Sequence, residues 1–238
     1  MAVTLQRVAS GLSKQYYNRQ ALAYTTALDD DYRSYGGEDD VRTGMKGASL
    51  QSFEEQLRER KKEDLQRKPE FMKEELEDDF DNIVKYHKFT LNSDGRTIRK
   101  QDLNYTNLMD LGEMVKLSGN NLVVAVPSLI GGQTYIGSHE RAREVDAWMG
   151  FPRSIRNIIN FTIPEGYRVV GLDNLNMNID NAAGTFAVQA TVEGNNLNIL
   201  VKKIYKTAIV EKKDWPQLLE MLDAAFKFSQ KKILLKKN

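Results

Sequence analysis

Three segments in the last third of the chain alternate between apolar and polar residues, and this pattern limits the fold more than any other feature. Glycine- and asparagine-containing turns at 181–184 and 194–196 separate the segments. A period of two is typical of strands with one packed and one wet face, so we predict an antiparallel three-strand meander. The apolar positions are 175, 177 and 179, then 186, 188, 190 and 192, then 197, 199 and 201.

Further β segments surround the meander. Short valine- and isoleucine-rich runs bounded by turn residues predict strands at 83–91, 122–126, 155–163 and 233–235. Two stacked antiparallel sheets are the expected way to bury their apolar faces. The predicted fold class is therefore mainly β, an antiparallel β-sandwich over residues 81–238.

A C-terminal helix is predicted to close this domain. Asp214 is expected as the N-cap, Pro216 in the first turn, and Gln217 as the second member of a capping box. The helix has an apolar stripe, which we expect to cover the sheet or its open end. The stripe consists of Leu218, Leu219, Leu222, Ala225 and Phe226.

Residues 1–80 are more polar and are predicted to form a charged linker with helical parts. A strand is expected at 3–8, a helix or irregular arm at 16–35, and loops at 36–40 and 44–47. Ser52 and Glu55 have capping-box spacing, which predicts a surface helix after residue 52. Pro69 is expected to interrupt it before a second short helix at 70–79.

Composition excludes several kinds of site and partner. The chain has no cysteine, so disulfides, thiolate metal sites and a cysteine nucleophile are excluded within these residues. Lysine and arginine total 34 against 33 acidic residues, a net charge of +1 that favours neither nucleic acid nor an anionic membrane. No apolar run approaches the roughly 20 residues of a membrane span. We expect no nucleic-acid partner and no membrane span.

The two histidines are the candidates for acid–base catalysis or metal binding. His87 lies in a predicted strand with no evident serine or acidic partner, so an ordinary strand residue is the simpler interpretation. His139 precedes Glu140 as in a zinc-protease motif, but the second histidine is replaced by Arg143. We therefore predict no metal site. Glu140, Glu144 and Asp146 are expected to pair with Arg141 and Arg143. A hydrolase using either histidine is the third of our functional hypotheses.

No cofactor site is predicted either. Gly131 and Gly132 fit no phosphate-binding pattern and are expected in a turn. Trp148 and Trp215 are expected to be buried packing anchors. The row Asn174, Asn176 and Asn178 on the polar side of the meander is a possible binding face for a glycan, but no aromatic cluster neighbours it, and a solvated strand face is the favoured interpretation.

The order of segments resembles the C-terminal region of large bacterial transglutaminase-like proteins. In that family a β domain of unknown function precedes a papain-like transglutaminase core, and another β domain follows the core. The resemblance covers residues 80–238, and residues 1–80 match only as a linking stretch. The segments that carry it are Leu122–Pro127 with Ser128-Leu129-Ile130-Gly131, Arg141–Asp146, Ile163–Val169, the meander, Asp214-Trp215-Pro216, and Lys232–Lys236.

The resemblance implies a protein without catalytic activity of its own. The family's catalytic Cys, His and Asp lie in the core, and this chain has neither a cysteine nor a segment that resembles the core. A chain of this kind would be the C-terminal part of a larger parent that is exported to the bacterial cell envelope, with the periplasm as its expected location. Such a position would also explain why residues 1–6 lack a signal-peptide pattern.

Two functional hypotheses from different classes follow. In the first, the chain is a non-catalytic accessory domain that packs on or positions the transglutaminase-like core or an envelope partner. In the alternative, it is a free-standing module that binds a glycan or a protein with its polar sheet face. An exposed, flat apolar patch would favour the first, and an aromatic-lined groove beside the asparagine row would favour the second.

Overall fold

The structure, a computed structural model, describes residues 2–10, 44–80, 82–95 and 101–238. The helix or arm predicted at 16–35 and the loop at 36–40 lie outside the described residues. Three helices are described: α1 (Ala48–Glu77), α2 (Ser138–Arg141) and α3 (Trp215–Ser229). Short 3₁₀ helices span Val126–Ile130, Leu172–Leu175 and Lys212–Asp214.

The strands form three sheets in which every described pairing is antiparallel. Seven strands form one sheet in the order β2-β3-β1-β7-β11-β10-β9, four form a second in the order β4-β5-β13-β8, and β6 pairs with β12. The strands are β1 (Ala2–Ser10), β2 (Ile83–Asp94), β3 (Leu103–Leu111), β4 (Val115–Ser118), β5 (Asn121–Val124), β6 (Ala147–Trp148), β7 (Arg153–Thr162), β8 (Tyr167–Val170), β9 (Met177–Asp180), β10 (Gly184–Glu193), β11 (Asn196–Tyr205), β12 (Ile209–Val210) and β13 (Ile233–Lys237).

One hydrophobic core joins the two larger sheets and α3. It contains Phe186 and Leu197 of the seven-stranded sheet, Val124 and Leu235 of the four-stranded sheet, and Leu218 of α3, all with almost no exposed surface. The predicted fold class, mainly β with antiparallel sheets and a C-terminal helix, is confirmed. No helix within the described ranges is both long and apolar enough to span a membrane.

The meander is confirmed for two of its three segments. β10 and β11 pair from Gly184↔Tyr205 to Glu193↔Asn196, and Gly194 in the connecting turn has a φ of 58°, as a II′ turn requires at its first central position. The first segment differs from the prediction. A 3₁₀ helix occupies Leu172–Leu175, so β9 begins only at Met177.

Helix α3 starts where the sequence predicts, but its buried stripe is rotated. Asp214 is the N-cap and Pro216 lies in the first turn, as expected. Phe228 and Met221 are fully buried, whereas Phe226 is only partly buried and contacts the ring of Tyr135 at a centroid distance of 5.1 Å. Both aromatic positions lie at the margins of the same stripe, and the tertiary fold buries the Phe228 margin.

The capping box predicted at Gln217 is wrong. Its Oε1 accepts a hydrogen bond from the Ala182 amide at 3.0 Å, and its Nε2 donates to Asp214 Oδ1 at 3.3 Å. Gln217 therefore holds the β9–β10 turn against α3. Gly184 permits this close packing, because a Cβ there would lie 2.4 Å from both the Ile204 carbonyl oxygen and Met221 Sδ.

The N-terminal segment contributes a central strand. β1, predicted at 3–8, lies between β3 and β7 with Leu5 opposite Asn107 and Arg7 opposite Asn157. β1 therefore belongs to the seven-stranded sheet. The division of the chain into two segments at residue 80 stays a prediction.

The helix predictions for residues 48–79 need correction. α1 begins after Gly47, not at Ser52, and continues past Pro69 to Glu77 without a break. A proline removes only one hydrogen bond from a helix of 30 residues, and the buried Met72 and Leu76 anchor the turns that follow it.

Candidate interaction site around Trp148

A small two-stranded sheet presents a tryptophan to solvent. Ile209 of β12 lies opposite Trp148 of β6, and Val210 lies opposite Ala147. Because side chains alternate along a strand, Ala147 and Val210 are buried while Trp148 and Ile209 point outward with 80% and 56% exposure. The prediction that Trp148 is a buried anchor is wrong. We call Trp148 and Ile209 together the Trp148 surface.

The backbone that carries the Trp148 surface is held by several contacts. The Met149 amide donates to the Ala208 carbonyl at 2.8 Å, and the Lys212 amide donates to Asp146 Oδ1 at 2.8 Å. Arg153 donates to the Met149 carbonyl at 2.6 Å while its guanidinium lies 3.9 Å from the centre of the Tyr205 ring. The exposed indole is thus attached to a fixed scaffold.

Trp215, in contrast, is the buried anchor that the sequence predicts. Its Nε1 donates to the Arg141 carbonyl at 2.9 Å, and the Arg143 guanidinium lies 4.8 Å from its ring. The Arg141 guanidinium forms a two-pronged ion pair with Asp223 of α3, at 2.9 and 2.7 Å. Hydrogen bonding from Arg141 is the main reason why the pKa of Asp223 is lowered.

The local charge pairing predicted for residues 140–146 is wrong. Glu140 accepts a hydrogen bond from the Gly137 amide, and Glu144 forms a 2.5 Å ion pair with Lys212. Lys212 for Glu144 and Asp223 for Arg141 are distant in sequence, so folding brings them together, whereas the Gly137 amide is a close neighbour of Glu140. The contacts join the 141–148 stretch to α3 and to the residues after β12.

The structure does not bring the asparagine row together on one strand. Asn174 lies in the 3₁₀ helix, where its carbonyl accepts a hydrogen bond from Lys231. Asn176 Oδ1 accepts the Ala190 amide at 2.7 Å, and Asn178 is exposed on β9. A shallow depression of about 520 Å³ lies beside them, and none of its lining residues is aromatic: Asn176, Met177, Asn178, Val188, Gln189, Ala190 and Thr191.

One histidine has an acidic partner that sequence reasoning missed. His87 Nε2 of β2 lies 2.7 Å from Asp110 Oδ2 of β3, and both side chains are about one-third exposed. The two residues are neighbours only through the β2–β3 pairing, in which irregular register hides the match from the sequence. His139 is exposed on α2. Within the described ranges, no group of three or more metal-ligating side chains is found.

Residues 121–235 match a known family model. It is DUF3858, a domain of unknown function with a solved structure. The DUF3858 match runs from the first residue of β5 into β13, so it includes the Trp148 surface, the meander and α3. It leaves out β1 to β4 and α1. No curated protein and no solved structure matches the chain.

Proposed function

We propose that the chain is a non-catalytic accessory domain that docks on another protein through the Trp148 surface. The observation that carries the proposal is an indole with 80% exposure on a well-fixed backbone. Tryptophan is among the residues that contribute most to protein–protein binding. A scaffold that is already ordered loses little conformational entropy on binding.

The partner we propose is a transglutaminase-like core in a bacterial cell-envelope protein, located in the periplasm. The support is the resemblance of residues 80–238 to the region that follows such a core. Most of the segments that carry the resemblance fall inside the DUF3858 match. An exposed apolar surface is the feature expected of a domain that packs on a neighbour.

The absence of catalysis is part of the proposal. The chain has no cysteine, and the contact described for His87 is the Asp110 carboxylate, not a serine or threonine hydroxyl. The purified chain should show no amine incorporation into a protein substrate and no peptide hydrolysis. Turnover that disappears in His87→Ala or His139→Ala would overturn this part.

Docking can be tested with a photo-crosslinking amino acid at position 148 in bacterial cells. We expect the crosslinked protein, identified by mass spectrometry, to contain a transglutaminase-like core. The same amino acid at position 200, which is partly exposed on the outer face of the seven-stranded sheet, is the matched control. No crosslink at 148, or one to a protein without such a core, would contradict the proposed partner.

Binding can be measured through the indole itself, because the chain contains only two tryptophans. Trp215→Phe leaves Trp148 as the sole indole, and acrylamide should quench it strongly in the free protein. Addition of the crosslinked partner in purified form should protect it. Trp148→Ala should weaken binding by about 2 kcal/mol or more, a loss typical of a central interface tryptophan.

The alternative, a glycan-binding face around Asn178, Gln189 and Thr191, receives less support. These side chains offer amide and hydroxyl groups, but the lining of their depression provides no ring for a sugar to stack on. Binding of a glycan array that is lost in Asn178→Ala and kept in Trp148→Ala would favour this alternative over protein docking.

A further inference from the structure

The outer face of the four-stranded sheet carries cations without acids. Its strands contain Lys116, Arg168, Lys236 and Lys237 and no aspartate or glutamate. Glu165 and Asp173 flank β8 but lie outside the strands. Since the whole chain is nearly neutral, with 34 basic and 33 acidic residues, positive charge is concentrated on this sheet.

The side chains of this face follow from strand alternation. Ile233 and Leu235 of β13 and Val124 of β5 point into the core. Their neighbours therefore point outward, and the register aligns Val123, Leu234 and Val170 in one apolar row across three strands. Lys116 continues this row on β4, and Arg168 lies opposite Lys236. We call the outward-pointing residues, together with Lys232, the basic face: Lys116, Val123, Arg168, Val170, Lys232, Leu234 and Lys236.

Within the described residues, the cations of the basic face are not neutralised by neighbouring acids, as some cations elsewhere on the protein are. Lys206, Lys212 and Arg141 each form an ion pair with an acidic side chain. In the part of the chain that the structure describes, no ion pair is found for Lys116, Arg168, Lys232 or Lys236. Their charge is thus available to a partner.

A groove lies at one end of the basic face. It has a volume of about 400 Å³, and its walls combine the apolar side chains of Val170, Leu175 and Leu234 with Lys231 and Lys232. Lys231 donates a hydrogen bond to the Asn174 carbonyl, which connects the 3₁₀ helix to the start of β13. The groove would accept an apolar side chain next to a carboxylate.

We propose that the basic face binds an extended acidic segment of a partner protein. Lys232, Leu234 and Lys236 follow one another at intervals of two residues, about 7 Å apart in an extended strand. A partner strand with carboxylates at positions i and i+4 and an apolar residue at i+2 repeats this spacing. The segment's charge then complements the lysines while its apolar side chain contacts Leu234.

Two other anionic partners fit the face less well. Val170 and Leu234 are only 37% and 36% exposed, so they do not protrude as side chains that insert into a membrane do. The aligned outward positions include no aromatic ring, on which the bases of a single-stranded nucleic acid would stack. Tyr167 of β8 packs against the hydrophobic core on the other side of the sheet.

The probe for this proposal is a peptide of repeated Glu-Ser-Val-Ser units, which has the required spacing. Calorimetric titration should show binding that weakens as salt is added. The double variant Lys232→Glu with Lys236→Glu should weaken it roughly tenfold or more, since like charges then face the peptide. Lys85→Glu with Lys88→Glu on the exposed side of β2 makes the same charge change elsewhere and should leave binding unchanged.

The controls separate this surface from the one proposed above. The matching peptide with glutamine in place of glutamate should not bind, and Trp148→Ala should bind the acidic peptide normally. Thermal melts establish that both double variants are folded. The proposal is overturned if the wild-type protein does not bind the peptide or if both double variants bind it equally. It is also overturned if phosphatidylglycerol vesicles or a single-stranded oligonucleotide bind the basic face more tightly than the peptide does.

Discussion

At the β9 end of the seven-stranded sheet, α3 covers the inner face with apolar side chains, whereas around β1 the same face carries buried polar groups. Phe228 of α3 packs against Phe186 of β10 with ring centroids 5.9 Å apart. Around β1, Asn107 and Asn157 are buried, and Arg7 pairs with Asp79 at 2.5 Å. Apolar contacts are not directional, so the stability of the first region depends on how closely its side chains fit together. In the second region, it depends on whether each polar group has a partner.

Among the described residues, only some of the buried polar groups around β1 have a hydrogen-bond partner. Tyr86 OH donates to Asn107 Oδ1 at 2.7 Å, and burial, helped by nearby Tyr105, raises the pKa of Tyr86. Asn107 Nδ2 and Asn157 Oδ1 have no hydrogen-bond partner in the described structure. Asp79 also accepts the Gly132 amide at 3.3 Å, so it connects the end of α1 to the loop after the first 3₁₀ helix.

The largest expected effect tests the apolar region. Phe228→Ala should destabilise the protein by about 3–5 kcal/mol, because a cavity adds to the lost transfer free energy. Urea unfolding monitored by circular dichroism measures the change. Phe226→Ala is the matched control and should have a clearly smaller effect, since Phe226 is only partly buried. Equal effects would contradict the packing of α3 in the structure, and a larger effect of Phe226→Ala would mean that α3 packs as the sequence predicts.

The next effect tests the ion pair of the polar region. Asp79→Asn removes the charge that faces Arg7 and should lower the free energy of unfolding by about 1–3 kcal/mol. Asp180→Asn makes the same change in the exposed ion pair with Lys206 and should change stability little. If both variants unfold at the same urea concentration, the Arg7–Asp79 pair adds no more than a surface pair does.

A smaller effect of opposite sign is expected at Asn157. Its unpartnered oxygen is buried, so Asn157→Leu should raise stability by about 1 kcal/mol. Asn107→Leu should instead lower stability, because Tyr86 would lose its acceptor. The melting temperatures of the two variants are the measurement. If both shift in the same direction, the side-chain oxygens of Asn157 and Asn107 do not differ in their contribution to stability.

The smallest effect concerns the exposed side of α3. Because the pKa of Asp223 is lowered in the folded protein, its pairing with Arg141 stabilises the fold above the carboxyl's ordinary pKa. This stabilisation should disappear as the pH falls through the lowered folded-state value. Melting curves of the wild type and Asp223→Asn should therefore differ slightly at neutral pH and converge in acid. A difference that persists in acid would require another explanation.

The parts of the fold that the sequence predicts are those set by local periodicity. Alternation locates β10 and β11, and the Asp214–Pro216 pattern locates the start of α3. Choosing between Phe226 and Phe228 is beyond local reasoning, because both lie on the margins of one helical stripe. The interruption expected at Pro69 fails because local propensity is weaker than the packing of a long helix.

The candidate site was harder to predict than the fold. β6 and β12 have two residues each and lie about 60 residues apart. Two residues are too few to show an alternation of apolar and polar side chains, so the sequence does not reveal that Trp148 points outward. An isolated tryptophan in a sequence is read as buried by default, and only the pairing with Ile209 reveals its exposure. The His87–Asp110 contact escapes for a similar reason, since it depends on an irregular register between β2 and β3.

The central position of β1 also has a consequence for how the protein folds during synthesis. β1 is made before both of its neighbours, β3 and β7, which begin only at Leu103 and Arg153. At about 5–20 residues per second, β1 waits on the order of ten seconds for its second partner. Contacts this distant in sequence give the chain a high contact order and slow folding. A nascent chain that pauses on the ribosome before Arg153 therefore has one edge of its central strand open, and this is the stage at which a chaperone has most to protect.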